Sequence, residues 1–242
     1  MKVEELSTAT NRIQRAVGRM VRRRGRLIAI EGIDQAGKRT QANLLAVRLR
    51  RIGRPVSVWS FPDYGTPVGK MLRAYLRGSV RLDLHTIHLL YAANKWEVAD
   101  KLMRRLEHGE VIIVNRYAPS NLAYGVAHGL PHDWLVSLEK GLPRSDLVVV
   151  LDISSRTSLT RKHQRRDVHE SDLQYLNRVR RAYRSLAKKH GWTVIEGRMG
   201  PDKVSLLVWE KVVAALRYSL SRETRTHTRH APSMDLRLSS TG

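Results

Sequence analysis

The sequence predicts an α/β fold in which a five-stranded parallel sheet lies between two layers of helices. Five short runs, Leu27 to Glu31, Val56 to Ser60, Val111 to Asn115, Leu147 to Asp152 and Trp192 to Glu196, are apolar, rich in β-branched residues and bounded by charged or turn residues. Their near-continuous apolarity, without a two-residue alternation, is the pattern of strands covered on both faces. Longer stretches with helical spacing separate them, and strands that alternate with helices are joined by right-handed crossovers into a parallel sheet.

Residues 1–25 end in "RMVRRRG" and carry seven basic against two acidic side chains with weak periodicity, so they are predicted to be an extension outside the fold. Residues 26–218 form one domain, and 42% hydrophobic content over 242 residues is enough for its core. The first strand runs straight into "EGIDQAGKRT" at 31–40. From Thr40 to Ile52 the spacing puts Leu44, Leu45, Val47 and Leu49 on or near one side of a helix, which starts near Lys38 and stops at Gly53, a residue suited to a helix end. After the fourth strand, residues 154–172 read as a basic, mobile lid, followed by a further helix and the fifth strand. Residues 219–242, "LSRETRTHTRHAPSMDLRLSSTG" from Leu220 on, have the composition of a disordered tail.

Composition narrows the function. With no cysteine there is no disulfide framework, thiolate zinc site or catalytic thiol, which favours a reducing, cytoplasmic setting. No apolar stretch approaches the length of about 18 residues that a membrane span needs. His85 with His88, and His128 with His132, lack companion ligands at a metal-site spacing. The net charge of +22 lies mostly in the body of the chain rather than at its ends. Multiply charged phosphate ligands call for such a potential as much as nucleic acid does, and dedicated nucleic-acid binding is not expected.

The loop after the first strand carries the strongest chemical signal. Glycine-rich backbone between a buried strand and a helix exposes successive N–H groups, and the helix N-terminus adds partial positive charge, so an anion is cradled there. Gly32, Ile33, Asp34, Gln35, Ala36, Gly37, Lys38, Arg39 and Thr40 form this candidate ATP site, with Lys38 placed to reach the terminal phosphates. The pattern G-x-x-x-x-G-K-[ST] calls for a hydroxyl where Arg39 stands. Asp34 is unexpected in a plain phosphate cradle.

"EGIDQAGK" resembles the opening of the thymidylate kinase family, and the resemblance continues in order through "FPDYGTPVGKMLRAYLRG", "LLYAANKWE", "VIIVNRYAPSNLAYG" and "SDLQYLNRVRRAYRSLAKKHG", over approximately residues 26–215. It implies a P-loop NTPase fold of three layers with a lid, ATP as phosphate donor, Mg2+, and phosphorylation of dTMP to dTDP. Family members generally form homodimers. The resemblance implies that Asp34 binds the acceptor sugar's 3′-hydroxyl, that Tyr91 stacks on the base with Phe61 as a further ring, and that Tyr124 lies beside the sugar. Lys95 occupies the place of an arginine that reaches the base edge and the acceptor phosphate, and Arg116 matches the arginine that clamps that phosphate. Tyr64 stands where some members carry another arginine. Gln35 stands where some carry the catalytic arginine, which points to the lid branch of the family and, within the basic cluster of Arg161, Lys162, Arg165 and Arg166, to Arg165 or Arg166 as catalytic beside Lys38 and Arg116.

Two departures bear on catalysis. Arg39 removes a magnesium-binding hydroxyl, and Asn115 replaces an aspartate that helps hold the hydrated ion, so the metal ligands are undefined, with Thr40 as a displaced hydroxyl. Lys95 keeps a charge but loses the two-pronged donor of arginine. Three readings therefore stand: a dTMP kinase, a kinase with altered nucleoside monophosphate preference, and a nucleotide-binding paralogue with weak or absent turnover.

Overall fold

The computed structural model describes residues 24–161 and 173–227. Five strands, β1 (Arg26–Glu31), β2 (Val56–Ser60), β3 (Val111–Asn115), β4 (Leu147–Asp152) and β5 (Thr193–Glu196), form one parallel sheet in the order β2-β3-β1-β4-β5. All five expected strands are present; β1 begins one residue earlier than the apolar run and β5 one residue later. The three middle strands are almost wholly buried, whereas β2 and β5 at the edges are partly exposed.

Helices α1 (Lys38–Arg51) and α9 (Pro201–His227) pack together on one face of the sheet. On the other lie α4 (Ala99–Glu107), α5 (Ala118–Ala127) and α8 (Leu173–His190). Leu45 and Leu49 of α1 and Val208 and Val212 of α9 meet Leu27, Ile28 and Ile113 of the sheet in a single core, which Val179, Tyr183 and Leu186 of α8 join from the other face. Burial of each large aliphatic side chain contributes about 1.5–3 kcal/mol. The helix predicted over Thr40–Ile52 starts at Lys38, directly after Gly37, and its exposed face carries Arg39, Val47 and Arg50 rather than leucine. Val47, placed near the buried side by the spacing, is 42% exposed.

Between β2 and β3 run α2 (Pro67–Leu76) and α3 (Leu84–Trp96), both capped by side chains. Thr66 Oγ1 accepts from Gly69 N at 3.1 Å, and Asp83 Oδ1 accepts from Thr86 N at 3.0 Å. Helix α6 (His132–Leu138) follows α5, and α7 (Ser155–Thr160) opens the segment expected to be the lid. The last helix continues to His227, past position 219, where composition placed the start of a tail. Paired registers bring Ser60, Asn115 and Ile30 level, so the carboxyl ends of β2, β3 and β1 open onto one crevice. In open parallel sheets that edge, where the strand order changes direction, is where ligands bind.

Candidate active site

The loop between β1 and α1 is shaped by glycine. Gly32 has φ 129°, and a Cβ there would lie 2.5 Å from the Leu151 carbonyl oxygen of β4, so a side chain is excluded both by conformation and by contact. Gly37 (φ 90°) and Gln35 (φ 58°) complete the turn. Lys38 is buried, and its Nζ donates to Ile33 O at 2.7 Å, inside the loop it was expected to serve. Ile33 and Ala36 turn their side chains into the core, so only their backbone can face a ligand. Arg39 and Thr40 are exposed on the first turn of α1.

Two contacts from the start of the lid segment pin this loop. Ser158 Oγ of α7 donates to Asp34 O at 2.8 Å. Arg161 donates to Gln35 O and to Gly197 O, both at 3.2 Å, and thereby links the loop to the turn after β5. Arg161 had ranked below Arg165 and Arg166 as a site residue; those two lie outside the described residues.

Beside the loop opens a cavity of about 320 Å³. Phe61, Pro62 and Tyr64 come from the turn after β2, Tyr91 and Lys95 from α3, Arg116 and Tyr117 from the turn after β3, and Tyr124 from α5; Asp34 reaches in from the loop. Every expected acceptor-side residue is therefore gathered here. Arg116 has φ 65°, an uncommon backbone for a side chain of this size. Its Nη2 donates to Asp34 Oδ1 at 2.5 Å and to Tyr124 OH at 3.0 Å, while Tyr124 OH donates to Asp34 Oδ2 at 2.9 Å. The guanidinium also lies 5.0 Å from the centre of the Tyr124 ring. Burial opposes ionisation of Asp34, but the charges of Arg116 and Lys38 and the two hydrogen bonds outweigh it and hold the carboxyl well below its usual range. Burial, against the pull of Arg116, pushes the Tyr124 phenol well above its ordinary value, so it stays a donor.

Lys95 differs most from its expected role. Its Nζ donates to Tyr91 O at 2.7 Å and pairs with Glu139 Oε1 at 3.0 Å, and the side chain is 3% exposed. Its charge is thus matched before any ligand arrives. Phe61 is buried and packs on Tyr117 with ring centres 5.7 Å apart, so it forms the floor of the cavity with a partner the sequence did not single out.

Other participants also escaped sequence reasoning. Glu31, at the end of β1 and fully buried, accepts from Tyr117 N (2.8 Å), Ser120 Oγ (2.6 Å) and Tyr183 OH (2.9 Å), and burial pushes its carboxyl up despite these bonds and the Arg116 charge. Asn94 is fully buried and accepts from Asp63 N (2.7 Å) while donating to Asp63 O, Thr66 Oγ1 and Glu97 Oε2. Asn121 donates to Glu139 Oε1 at 2.8 Å and meets His88 Nδ1 at 2.6 Å. A polar residue ending an apolar strand, as Glu31 does, is the kind of signal that could have marked one of them.

The donors for magnesium fit poorly. Asp34 is committed to Arg116 and Tyr124, Glu31 to three donors, and Asn115 has replaced a carboxylate. Asn115 Nδ2 faces Ser60 Oγ at 3.4 Å, and its Oδ1 is buried without a partner. That single neutral oxygen cannot supply the anionic ligation a hard divalent ion favours. Among the described residues no set of three or more histidine, aspartate or glutamate side chains is placed to hold a metal.

A phosphate cradle at the head of α1 and a separate aromatic cavity bridged to it by one ion pair define a P-loop protein built to bring two ligands together at the sheet's carboxyl edge. Sequence comparison narrows the class. The thymidylate kinase family model matches residues 30–208, and the chain belongs to that family. It is 32% identical to the thymidylate kinase of Dictyostelium discoideum over 184 residues, covering 76% of this chain and 82% of that one. The Schizosaccharomyces pombe thymidylate kinase is 37% identical over 167 residues, covering 66% and 80%. The solved thymidylate kinase of Candida albicans superposes with a TM-score of 0.71 at 30% identity, covering 79% of this chain and 92% of its own.

Proposed function

We propose that this chain transfers the γ-phosphoryl group of ATP to dTMP, giving ADP and dTDP. The observation that carries this reading is Asp34: one carboxylate belongs to the phosphate loop, lines the acceptor cavity and fixes the arginine between them. A phosphate oxygen of dTMP attacks the γ-phosphorus in line as the bond to the ADP oxygen breaks. That oxygen is already anionic, so no carboxylate base is needed, and Asn115 removes no required base. In this reading the loop N–H groups and Lys38 hold the ATP phosphates, with Arg165 or Arg166 stabilising the charge in flight. Arg116 holds the acceptor phosphate, Asp34 the 3′-hydroxyl, and Tyr91, Phe61 and Tyr124 the base and sugar. No step is assigned to a protein-bound magnesium ion; an ion accompanying ATP would supply charge neutralisation of the phosphates. We place the enzyme in the cytoplasm on its lack of cysteine; among the described residues no helix is long and apolar enough to cross a membrane.

The test is formation of dTDP from ATP and dTMP by purified, folded protein, with dUMP, dCMP and dGMP as competing acceptors. The expected outcome is turnover with dTMP; absence of turnover with every acceptor rejects the reading. Arg39 and Asn115 favour one second reading, a nucleotide binder with weak catalysis. If it holds, Arg39→Ser with Asn115→Asp raises kcat at least about tenfold. If the double substitution slows a competent enzyme, Arg39 is part of the phosphate-binding machinery and the second reading is excluded.

A further inference from the structure

Each charged side chain that lines the acceptor cavity is already paired. Arg116 is paired with Asp34 and Lys95 with Glu139, so two cations meet two anions before a ligand binds. A phosphate monoester brings a charge of about −1.5 to −2 at neutral pH. Taken into this cavity it would be left without a full counter-charge, which the low dielectric of a closed site penalises. Lys38 is turned into the phosphate loop on the donor side.

A further cation, Arg73, lies beside this wall without itself lining the cavity. It lies on α2 one turn before Leu76, which lines the cavity, and its guanidinium sits 5.0 Å from the ring centre of Tyr64, which also lines it. Its Nη2 donates to Tyr64 O at 3.2 Å. Among the described residues no carboxylate pairs with it. An arginine resting on an aromatic face retains most of its N–H donors and its whole charge, so a swing toward an anion breaks no ion pair. The helix is anchored close by: Asn94 holds the Asp63–Thr66 turn that caps α2, which fixes the backbone carrying both Tyr64 and Arg73.

We propose that Arg73, docked on the cavity-lining Tyr64, is a substrate-binding residue that supplies the missing positive charge to the acceptor's phosphate. The inference rests on the kinase reading above. It separates recognition of the phosphate from recognition of the nucleoside, and the test uses that separation. Calorimetric titration of the full chain with dTMP and with thymidine compares wild type, Arg73→Ala and Arg73→Lys, alongside steady-state kinetics. Arg73→Ala is expected to weaken dTMP binding about tenfold and raise KM for dTMP to match, the loss of one charge-assisted contact. Thymidine affinity and KM for ATP stay within about twofold, and Arg73→Lys restores part of the dTMP loss. Unchanged dTMP binding by Arg73→Ala overturns the inference. Equal weakening of dTMP and thymidine also overturns it, because Arg73 would then act only by supporting Tyr64. A wild type that neither binds nor phosphorylates dTMP overturns both this inference and the kinase reading; failure confined to the Arg73 variants overturns this one alone.

Discussion

Asp34 and Arg116 are each tolerable in a mostly buried site only because the other is present, with side-chain exposures of 20% and 17%. Removing one partner of such a pair strands the other, a loss of about 2–5 kcal/mol. Asp34→Asn is therefore expected to lower kcat/KM for dTMP by about 30-fold or more, and chemical denaturation should show it to be less stable than wild type at pH 7. The pH dependence follows from the direction of the shift. The carboxyl is held below its ordinary value of 3.8, so on acidification the unfolded chain takes up the proton first. The stabilisation is complete well above that value and is lost progressively as pH falls from it through the much lower folded-state value, so the gap between wild type and Asp34→Asn should begin to narrow below pH 3.8 and keep narrowing on further acidification. A gap that stays constant would reject the ion pair as its source. Asp34 stood out in the sequence because a phosphate cradle needs no acid, whereas Glu31 and Glu139 did not. Their roles depend on donors 86–152 and 18–44 positions away, respectively, and no local pattern records such pairings.

At the level of elements, α3 sets the acceptor wall through one side chain. Asn94 makes three hydrogen bonds that tie α3 to the turn before α2. Gly69 lets the backbones approach, since a Cβ there would fall 1.7 Å from Asp63 O. Asn94→Ala leaves the half-buried Asp63 N without its acceptor and should lower stability by about 1–3 kcal/mol, with KM for dTMP raised more than KM for ATP. Equal effects on both would contradict a local role. The opposite selectivity is expected at the other side of the crevice. Arg161 ties the phosphate loop to the turn after β5, so Arg161→Ala should raise KM for ATP severalfold, about 1 kcal/mol for two hydrogen bonds from a charged donor in a partly exposed setting, and leave KM for dTMP within about twofold. The strands and the start of α1 were legible because burial on both faces leaves an apolar run and a tight loop leaves glycine. The α2–α3 wall was legible only as a resemblance, because Asn94 reads as an ordinary helical polar residue until its partners are brought beside it.

For the whole molecule, the remaining question is assembly. We propose a homodimer, as the family resemblance implies, and α3 offers a surface for it: Leu89 and Trp96 lie seven residues apart, hence on one side of the helix, and are 49% and 44% exposed. Light scattering after gel filtration should give a dimer for wild type at micromolar concentration and a monomer for Leu89→Glu with Trp96→Glu. A monomeric wild type rejects the proposal. The sequence by itself determined the α/β class, the five strands, the phosphate loop and the residue types of the acceptor pocket, because these follow from short-range periodicity, glycine conformation and ordered motifs. Only the tertiary structure decided how the charges are spent. Lys95, Glu139, Asp34 and Arg116 are scattered over more than 100 positions, and crossovers of a parallel sheet bring them to one edge. Coulomb energy depends on distance in space, so which cations around the cavity already have a carboxylate partner could not be read along the chain.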